Sequence, residues 1–159
     1  MLILAFDTAT AGCSVALWRD GDIPARRSRV MARGQSEALL PMIQEVLAEA
    51  RIAPTDLDLI AVTRGPGAFT GLRIGLAAAR GMALAAGLPC LGVDTTDVIA
   101  RAVKGEQITG ELLVVIDTKR ADFYAQKFSR RRQPLGPPRA VPPGALAELA
   151  GDPPEGAPL

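Results

Sequence analysis

Apolar and polar residues along the first third of the chain follow strand-like spacing and then helix-like spacing. Apolar runs at 2–6, 13–18 and 23–30 are typical of β-strands, and the polar residues 19–22 predict a turn between the second and third. Residues 2–6 are apolar on both faces, which favours a central position in a sheet. The sequence therefore opens with a predicted three-stranded meander.

A helix is predicted next, with Ser36 as its N-cap and Pro54 beyond its end. The residues that recur at helical spacing are Leu39, Leu40, Ile43, Val46, Leu47 and Ala50. A buried strand at 57–62 follows, and then a glycine-rich turn and a proline-free helix at 72–86 that Gly87 and Pro89 end. A short strand at 90–93 and a short helix at 95–103 complete this part.

The opening pattern occurs a second time. An apolar run at 112–116 ends in Asp117 and Thr118 and is followed by a strand at 123–128, much as the first strand ends in Asp7 and Thr8. Repeated strand–Asp–turn–strand units suggest a duplicated fold of the actin, sugar kinase and Hsp70 type, in which Asp7 and Asp117 are equivalent and face nucleotide phosphates or their metal. Each Asp can equally end its strand through a side-chain-to-backbone hydrogen bond.

The end of the chain has a different composition. Most of the 13 prolines lie within residues 130–159, which predicts loop with one or two helical turns at 145–150. The expected organisation is a first lobe at 1–104, a β-hairpin that starts a second lobe at 105–129, and a Pro-rich segment at 130–159.

Composition and charge narrow the functional classes. Of the 159 residues 48% are hydrophobic and the net charge is +1, which argues against a disordered chain or one that binds nucleic acid through bulk charge. Cys13 and Cys90 lie in apolar runs, so both are expected to be buried free thiols. Without a basic leader or an uninterrupted apolar helix, a cytoplasmic protein with no membrane span is expected.

The glycine-rich turn offers two kinds of chemistry. Glycines permit positive φ and close approach of a phosphate or of another backbone, and the following helix directs free N–H groups at that space. The turn matches neither the dinucleotide fingerprint nor the P-loop, since no Lys-Ser/Thr pair closes it. An anion site and a tight packing site both remain open.

Five segments, in order, resemble the TsaB (YeaZ) family over roughly residues 2–128. They are Leu4–Thr10, Cys13–Leu17, Ser36–Ile43, Gly65–Leu76 and Leu91–Asp94, of which the Gly-Pro-Gly-Ala-Phe-Thr-Gly-Leu-Arg run is the most specific. The resemblance implies an actin-like, ribonuclease H-like α/β fold: a mixed five-stranded sheet with helices, followed by an abbreviated second lobe.

The same resemblance implies a non-catalytic partner in tRNA threonylcarbamoyladenosine formation. It implies pairing with TsaD and the ATPase TsaE, self-pairing as a homodimer when alone, and only indirect contact with tRNA. No intrinsic cofactor is expected, and ATP or ADP with magnesium are candidates at a complex interface.

The chain contains no histidine, which removes Ser-His and Cys-His catalysis and histidine metal sites. The catalytic paralogue TsaD, by resemblance, binds metal through a His-x-x-x-His helix, and Thr95 and Ile99 occupy those two positions here. No catalytic or metal-ligating residue is therefore assigned. Asp94 and Asp97 could hold a hard cation, but a helix cap by Asp94 is favoured.

Two sets of candidate site residues follow. The resemblance assigns a partner interface to the two main helices, whose apolar and small residues exceed what one sheet contact needs: Leu39, Met42, Ile43, Val46, Leu47, Gly71, Ile74, Gly75, Ala78, Ala79 and Met82.

An enzymatic alternative, a Mg-ATP-binding ATPase or kinase, would use Asp7, Thr8, Gly65, Gly67 and Asp117. A protease is a third hypothesis, which no combination of nucleophile, base and metal ligands in the sequence supports.

Basic residues form two clusters, one at 26–33 and one at 130–132. A tRNA backbone could use them. Strand alternation places Arg27 and Arg29 on one face, so a solvated sheet edge is the favoured interpretation.

Overall fold

The computed structural model describes residues 1–151, and the last eight positions of the predicted Pro-rich segment lie outside the described residues. The chain divides into two compact units, Met1–Thr95 and Thr96–Leu159. The three predicted segments, 1–104, 105–129 and 130–159, stay a prediction.

The first unit contains a five-stranded mixed sheet in the order β3-β2-β1-β4-β5. β1, β2 and β3 form the predicted antiparallel meander, and β4 and β5 run parallel to β1. β1 is the central strand, as its apolar residues on both faces predict. The strands are β1 (Leu2–Asp7), β2 (Gly12–Arg19), β3 (Asp22–Val30), β4 (Leu59–Gly65) and β5 (Cys90–Asp94).

Two long helices, α1 (Gln35–Ala50) and α2 (Phe69–Ala86), contribute to one core with the sheet. Every second residue of β1 and β2 is buried in that core, including Leu4 and Leu17 at 0% exposure. The fold class, a ribonuclease H-like α/β unit with a mixed five-stranded sheet, is confirmed.

The second unit contains a smaller antiparallel sheet in the order β6-β7-β8. A small core forms here around Ala100, Val114 and Phe128. Its elements are the later residues of α3 (Thr95–Ala102), then β6 (Leu112–Asp117), β7 (Phe123–Phe128), β8 (Arg139–Val141) and α4 (Pro143–Ala150). Two short 3-10 helices, Pro54–Asp56 and Gly105–Gln107, complete the assignment across both units.

Several sequence predictions about element ends were wrong. Gly34, at φ 90°, is the N-cap of α1, because its carbonyl accepts the first helical N–H groups from Glu37 and Ala38; Ser36 is already helical. α2 begins at Phe69 rather than at residue 72, so the glycine-rich turn is short. β8 (Arg139–Val141) forms where loop was expected, whereas α4 (Pro143–Ala150) contains the helical turns predicted at 145–150.

No helix among residues 1–151 is long and apolar enough to cross a membrane.

Candidate functional site: the glycine-rich turn and the helix pair

The glycines after β4 lie against the backbone that follows β1. A Cβ at Gly67 would lie 2.4 Å from the Ala9 carbonyl oxygen, and one at Gly71 would lie 2.0 Å from the Thr8 carbonyl oxygen. A Cβ at Gly75 would lie 2.6 Å from Thr8 Oγ1. Each distance is too short for a real side chain, so these positions require glycine for close packing.

Hydrogen bonds complete the contact between this turn and the chain after β1. The buried Thr8 hydroxyl donates to the Gly71 carbonyl oxygen at 2.7 Å, and the Ala68 N–H donates to the Ala9 carbonyl oxygen at 2.7 Å. Of the two possibilities left open by sequence, the structure supports the tight packing site. The space beside Gly67 and Gly71 is filled by this chain's own backbone.

Asp7 and Asp117 end their strands in the same local way. Asp7 Oδ1 accepts from the Ala9 N–H at 2.9 Å, and Asp117 Oδ1 accepts from the Lys119 N–H at 2.7 Å. Both are side-chain-to-backbone turns of the kind that ends strands without any ligand. The Thr63 hydroxyl also donates to Asp7 Oδ1.

The charge environment of Asp117 is set by Lys119. Its ammonium donates to Asp117 Oδ2 at 2.8 Å, and these hydrogen bonds hold the pKa of the carboxyl below its usual value. The carboxylate therefore already has a cationic partner in the chain.

Two residues of the nucleotide hypothesis, Thr8 and Gly67, make close contacts within this chain. Thr8 is 1% exposed and hydrogen-bonded, and Gly67 faces backbone. Among residues 1–151, no group of three or more His, Cys, Asp or Glu side chains could hold a metal ion. Nucleotide binding through Asp7, Thr8, Gly65, Gly67 and Asp117 stays a prediction without structural support.

The residues proposed for the interface lie mostly in the core. The five on α1 are 0–6% exposed, and Ala79 on α2 is 0% exposed. Gly71 and Gly75 contact the chain after β1, and Ile74, Ala78 and Met82 are partly buried against the core. Their part in binding a partner stays a prediction, but their packing within this chain is sufficient to explain their character. The five core residues of α1 are Leu39, Met42, Ile43, Val46 and Leu47.

The outward surface of the two helices carries apolar residues that are not among the predicted interface residues. Leu40 on α1 is 51% exposed and Leu84 on α2 is 86% exposed. Phe69 is 64% exposed, and the Arg73 guanidinium stacks on its ring at 3.8 Å. Leu40 and Leu84 each follow a buried residue, Leu39 and Ala83, by one position, so both face solvent, although the predicted helical spacing grouped Leu40 with the core residues.

The start of α3 differs from the predicted cap. Asp94 Oδ1 accepts from Arg64 Nε at 2.7 Å and forms an ion pair with it. The Asp94 carboxylate therefore contacts Arg64 rather than the N–H groups of α3. In the second unit, the buried Thr96 hydroxyl donates to Gln126 Oε1, and Ile99 packs against the small core. Thr96 and Ile99 thus serve contacts within the second unit.

Arg27 and Arg29 lie on one face of the edge strand β3, as strand alternation predicted. Arg27 Nε lies 3.3 Å from Glu45 Oε2, and Arg27 also pairs with Glu49. Arg29 lies 3.4 Å from Glu45 Oε1. These arginines therefore connect β3 to α1, which supports the favoured interpretation of a solvated edge over a tRNA contact.

The two cysteines have different environments. Cys13 is 1% exposed, and burial together with the Asp7 carboxylate raises its thiol pKa. Cys90 is exposed on β5, so the expectation that both thiols are buried was wrong for Cys90. β5 is an edge strand. Cys90 is exposed because of this edge position, which the apolar run in the sequence does not indicate.

Known proteins resemble this chain in sequence and in architecture. The family model described as "TsaD: tRNA N6-adenosine threonylcarbamoyltransferase" matches residues 28–143. The chain is 40% identical to Escherichia coli "tRNA threonylcarbamoyladenosine biosynthesis protein TsaB" over 130 residues, which is 82% of this chain and 56% of that protein. It is 32% identical to the Haemophilus influenzae protein of the same name over 132 residues, 83% of this chain and 56% of that protein.

A solved structure gives the same result. YeaZ from Pseudomonas aeruginosa superposes with a TM-score of 0.80 at 34% identity, covering 89% of this chain and 68% of that one. The chain spans 56% of the length of the two curated TsaB relatives. With sequence, topology and structural similarity in agreement, the chain belongs to the TsaB (YeaZ) family.

Proposed function

We propose that this chain is a non-catalytic partner in the formation of N6-threonylcarbamoyladenosine at adenosine 37 of tRNA. In this proposal TsaD transfers the threonylcarbamoyl group from threonylcarbamoyl-adenylate, and this chain pairs with TsaD and TsaE in the cytoplasm without contacting the reacting atoms. Membership of the TsaB family supports the pathway, since its curated relatives are named for it.

The proposal that this chain is non-catalytic rests on the identity of residues 95 and 99. By resemblance, the metal helix of TsaD has histidines there, whereas this chain has Thr95 and Ile99 and no histidine at any position. Neither side chain replaces an imidazole as a metal ligand. Ile99 instead packs against the small core of the second unit.

The surface proposed for TsaD is the outward side of α1 and α2. Leu40, Leu84 and the Phe69–Arg73 pair supply exposed apolar area there, and the buried residues of both helices support it from beneath. The same surface would mediate self-pairing when TsaD is absent. Large apolar side chains left exposed on both helices are the observation that supports a protein contact there.

A reconstitution assay tests the activity. Purified chain alone, given tRNA, threonylcarbamoyl-adenylate and metal, should form no modified adenosine, whereas addition of the chain to TsaD and TsaE should raise the yield. Modification by the chain alone would overturn the non-catalytic assignment. Micromolar ATP binding by the isolated chain, lost in Asp7→Asn, would instead favour the ATPase alternative.

A binding assay tests the surface. Leu84→Glu should weaken capture of TsaD at least tenfold, because it places a charge in an apolar contact. Val30→Glu is the matched control, since Val30 is 94% exposed at the end of β3 and belongs to neither helix. Equal loss in both variants, or in neither, would place the TsaD contact elsewhere.

A further inference from the structure

The outward face of α2 carries positive charge that no residue of the same helix balances. Arg73 and Arg80 are exposed, and the 18 residues of the helix include no Asp or Glu. Neither guanidinium forms an ion pair within residues 1–151. On the neighbouring helix α1, Glu45 and Glu49 already pair with arginines of β3. The charge of α2 is therefore available to a carboxylate of another molecule.

Two small residues, Ala77 and Gly81, are exposed one turn apart on this helix. Nothing in the described chain lies within 4 Å of a Cβ added at Gly81, and its φ is not positive. Gly71 and Gly75 differ, because an added Cβ at either would clash with Thr8. Only proline is less favourable than glycine inside a helix. No contact within the described chain offsets that cost at Gly81, whereas close approach of another backbone would use it.

Apolar side chains lie at both ends of the row that contains these residues. Phe69, Arg73, Ala77, Arg80 and Leu84 recur at intervals of three or four, so they share one face of α2. The Arg73 guanidinium stacks on the Phe69 ring, which holds it in place. Aromatic residues and arginine together are typical of the centres of protein–protein interfaces.

We propose that this face binds one amphipathic helix of the partner, which carries two acidic residues seven positions apart with a small residue between them. The inference rests on the proposed function, in which the partner is TsaD. Arg73 and Arg80 are separated by about 10.5 Å along the helix axis. Carboxylates at the same spacing on a helix that crosses at about 20° meet both guanidinium groups, in either helix direction.

A helix fits this face better than an RNA backbone does. Phosphates of RNA would bind the two arginines. They would leave Leu84 exposed and give Gly81 no role. A helix contacts all of these residues at once, because the small side chains at 77 and 81 let its backbone approach while the apolar ends lose their exposure to water.

Charge reversal tests the ionic part. The Arg73→Glu, Arg80→Glu double variant should slow association with TsaD at least tenfold at low ionic strength, because the face then repels the partner's carboxylates. Added salt should slow association of the wild type and not of this variant. Arg19→Glu with Arg26→Glu is the matched control, since both are exposed, belong to neither helix and give the same change in net charge.

A larger side chain at residue 81 tests the close approach. Gly81→Leu should weaken TsaD binding at least tenfold, because it separates the two helices. The stability of the isolated chain to urea should not fall, since the space around an added Cβ is open. Gly144→Leu on α4 is the matched control, where nothing lies within 4 Å of a Cβ either. It should leave TsaD binding unchanged.

A reciprocal exchange identifies the partner helix. One pair of acidic residues seven apart on a TsaD helix, changed to lysine, should abolish binding to the wild type and restore binding to the Arg73→Glu, Arg80→Glu variant. If no such pair does so, the proposal is wrong.

Two further results separate this inference from the proposed function. TsaD binding that Leu84→Glu weakens but that neither the double variant nor Gly81→Leu changes would overturn the inference and leave the function standing. Absence of TsaD binding by the wild type would overturn both. If the double variant loses tRNA binding while its TsaD binding is unchanged, the arginines contact RNA instead.

Discussion

Gly71 on α2 packs against Thr8 after β1, and the Thr8 hydroxyl donates to the Gly71 carbonyl oxygen at 2.7 Å. An added Cβ at Gly71 would lie 2.0 Å from the Thr8 carbonyl oxygen. This contact joins the start of α2 to the end of the central strand. It gives the glycine-rich turn a structural role that needs no bound ligand.

Gly71→Ala should destabilise the first unit by about 1–3 kcal/mol, because the new methyl group overpacks the contact with Thr8. Gly81→Ala is the matched control in the same helix, since nothing lies within 4 Å of a Cβ there. That control should be stabilising by up to about 1 kcal/mol through helix propensity. Urea unfolding of both variants measures the difference, and equal effects would contradict the packing role.

Thr8→Val should cost about 1 kcal/mol of unfolding free energy, because it removes a buried hydrogen bond to the Gly71 carbonyl oxygen while it conserves volume. Thr10→Val, at a half-buried position two residues later, is the control and should change stability by less. Chemical denaturation provides the measurement. A Thr8→Val protein as stable as the wild type would show that this bond contributes little.

Cys90 should react with a thiol reagent in the native protein, and Cys13 should not. Cys90 is exposed, whereas Cys13 is buried and its raised pKa lowers the thiolate fraction. Mass spectrometry after brief alkylation identifies the modified residue, with denatured protein as the control in which both react. Rapid native labelling of Cys13 would contradict its burial.

Asp117 should titrate below its usual pKa of 3.8, since its hydrogen bonds from Lys119 favour the carboxylate. The small stability that this adds is present above the unfolded pKa and is lost as pH falls through the lowered folded pKa. Carboxyl-carbon NMR follows the titration. Lys119→Gln should raise the midpoint toward 3.8, and an unchanged midpoint would assign the shift to another group.

Most of the first unit could be predicted because its sequence signals are local. On β1 and β2 every second residue is buried, and on α1 the buried residues recur at helical spacing. Both patterns arise because apolar side chains leave water when the chain folds. The duplicated strand–Asp–turn unit was also visible, since Asp7 and Asp117 form the same short-range hydrogen bond to the residue two positions later.

The features that sequence reasoning missed depend on distant residues. Gly71 and Gly75 are explained by the position of Thr8, which lies 63 positions from Gly71 along the chain. Cys90 is exposed because its strand lies at an edge, and strand order is set by the whole sheet. Asp94 pairs with Arg64 on the adjacent strand, a partner that capping rules do not consider.

The central position of β1 has a consequence for the order of events during synthesis. Its neighbour β2 ends at Arg19, whereas its other neighbour β4 begins at Leu59. At ribosomal speeds those 40 residues take roughly 2–8 s to appear. For that interval the nascent chain holds the apolar strand β1 with one side unpaired. A chaperone or a slow-translating stretch would therefore matter most before Gly65 emerges, and much less once Thr95 has completed the unit.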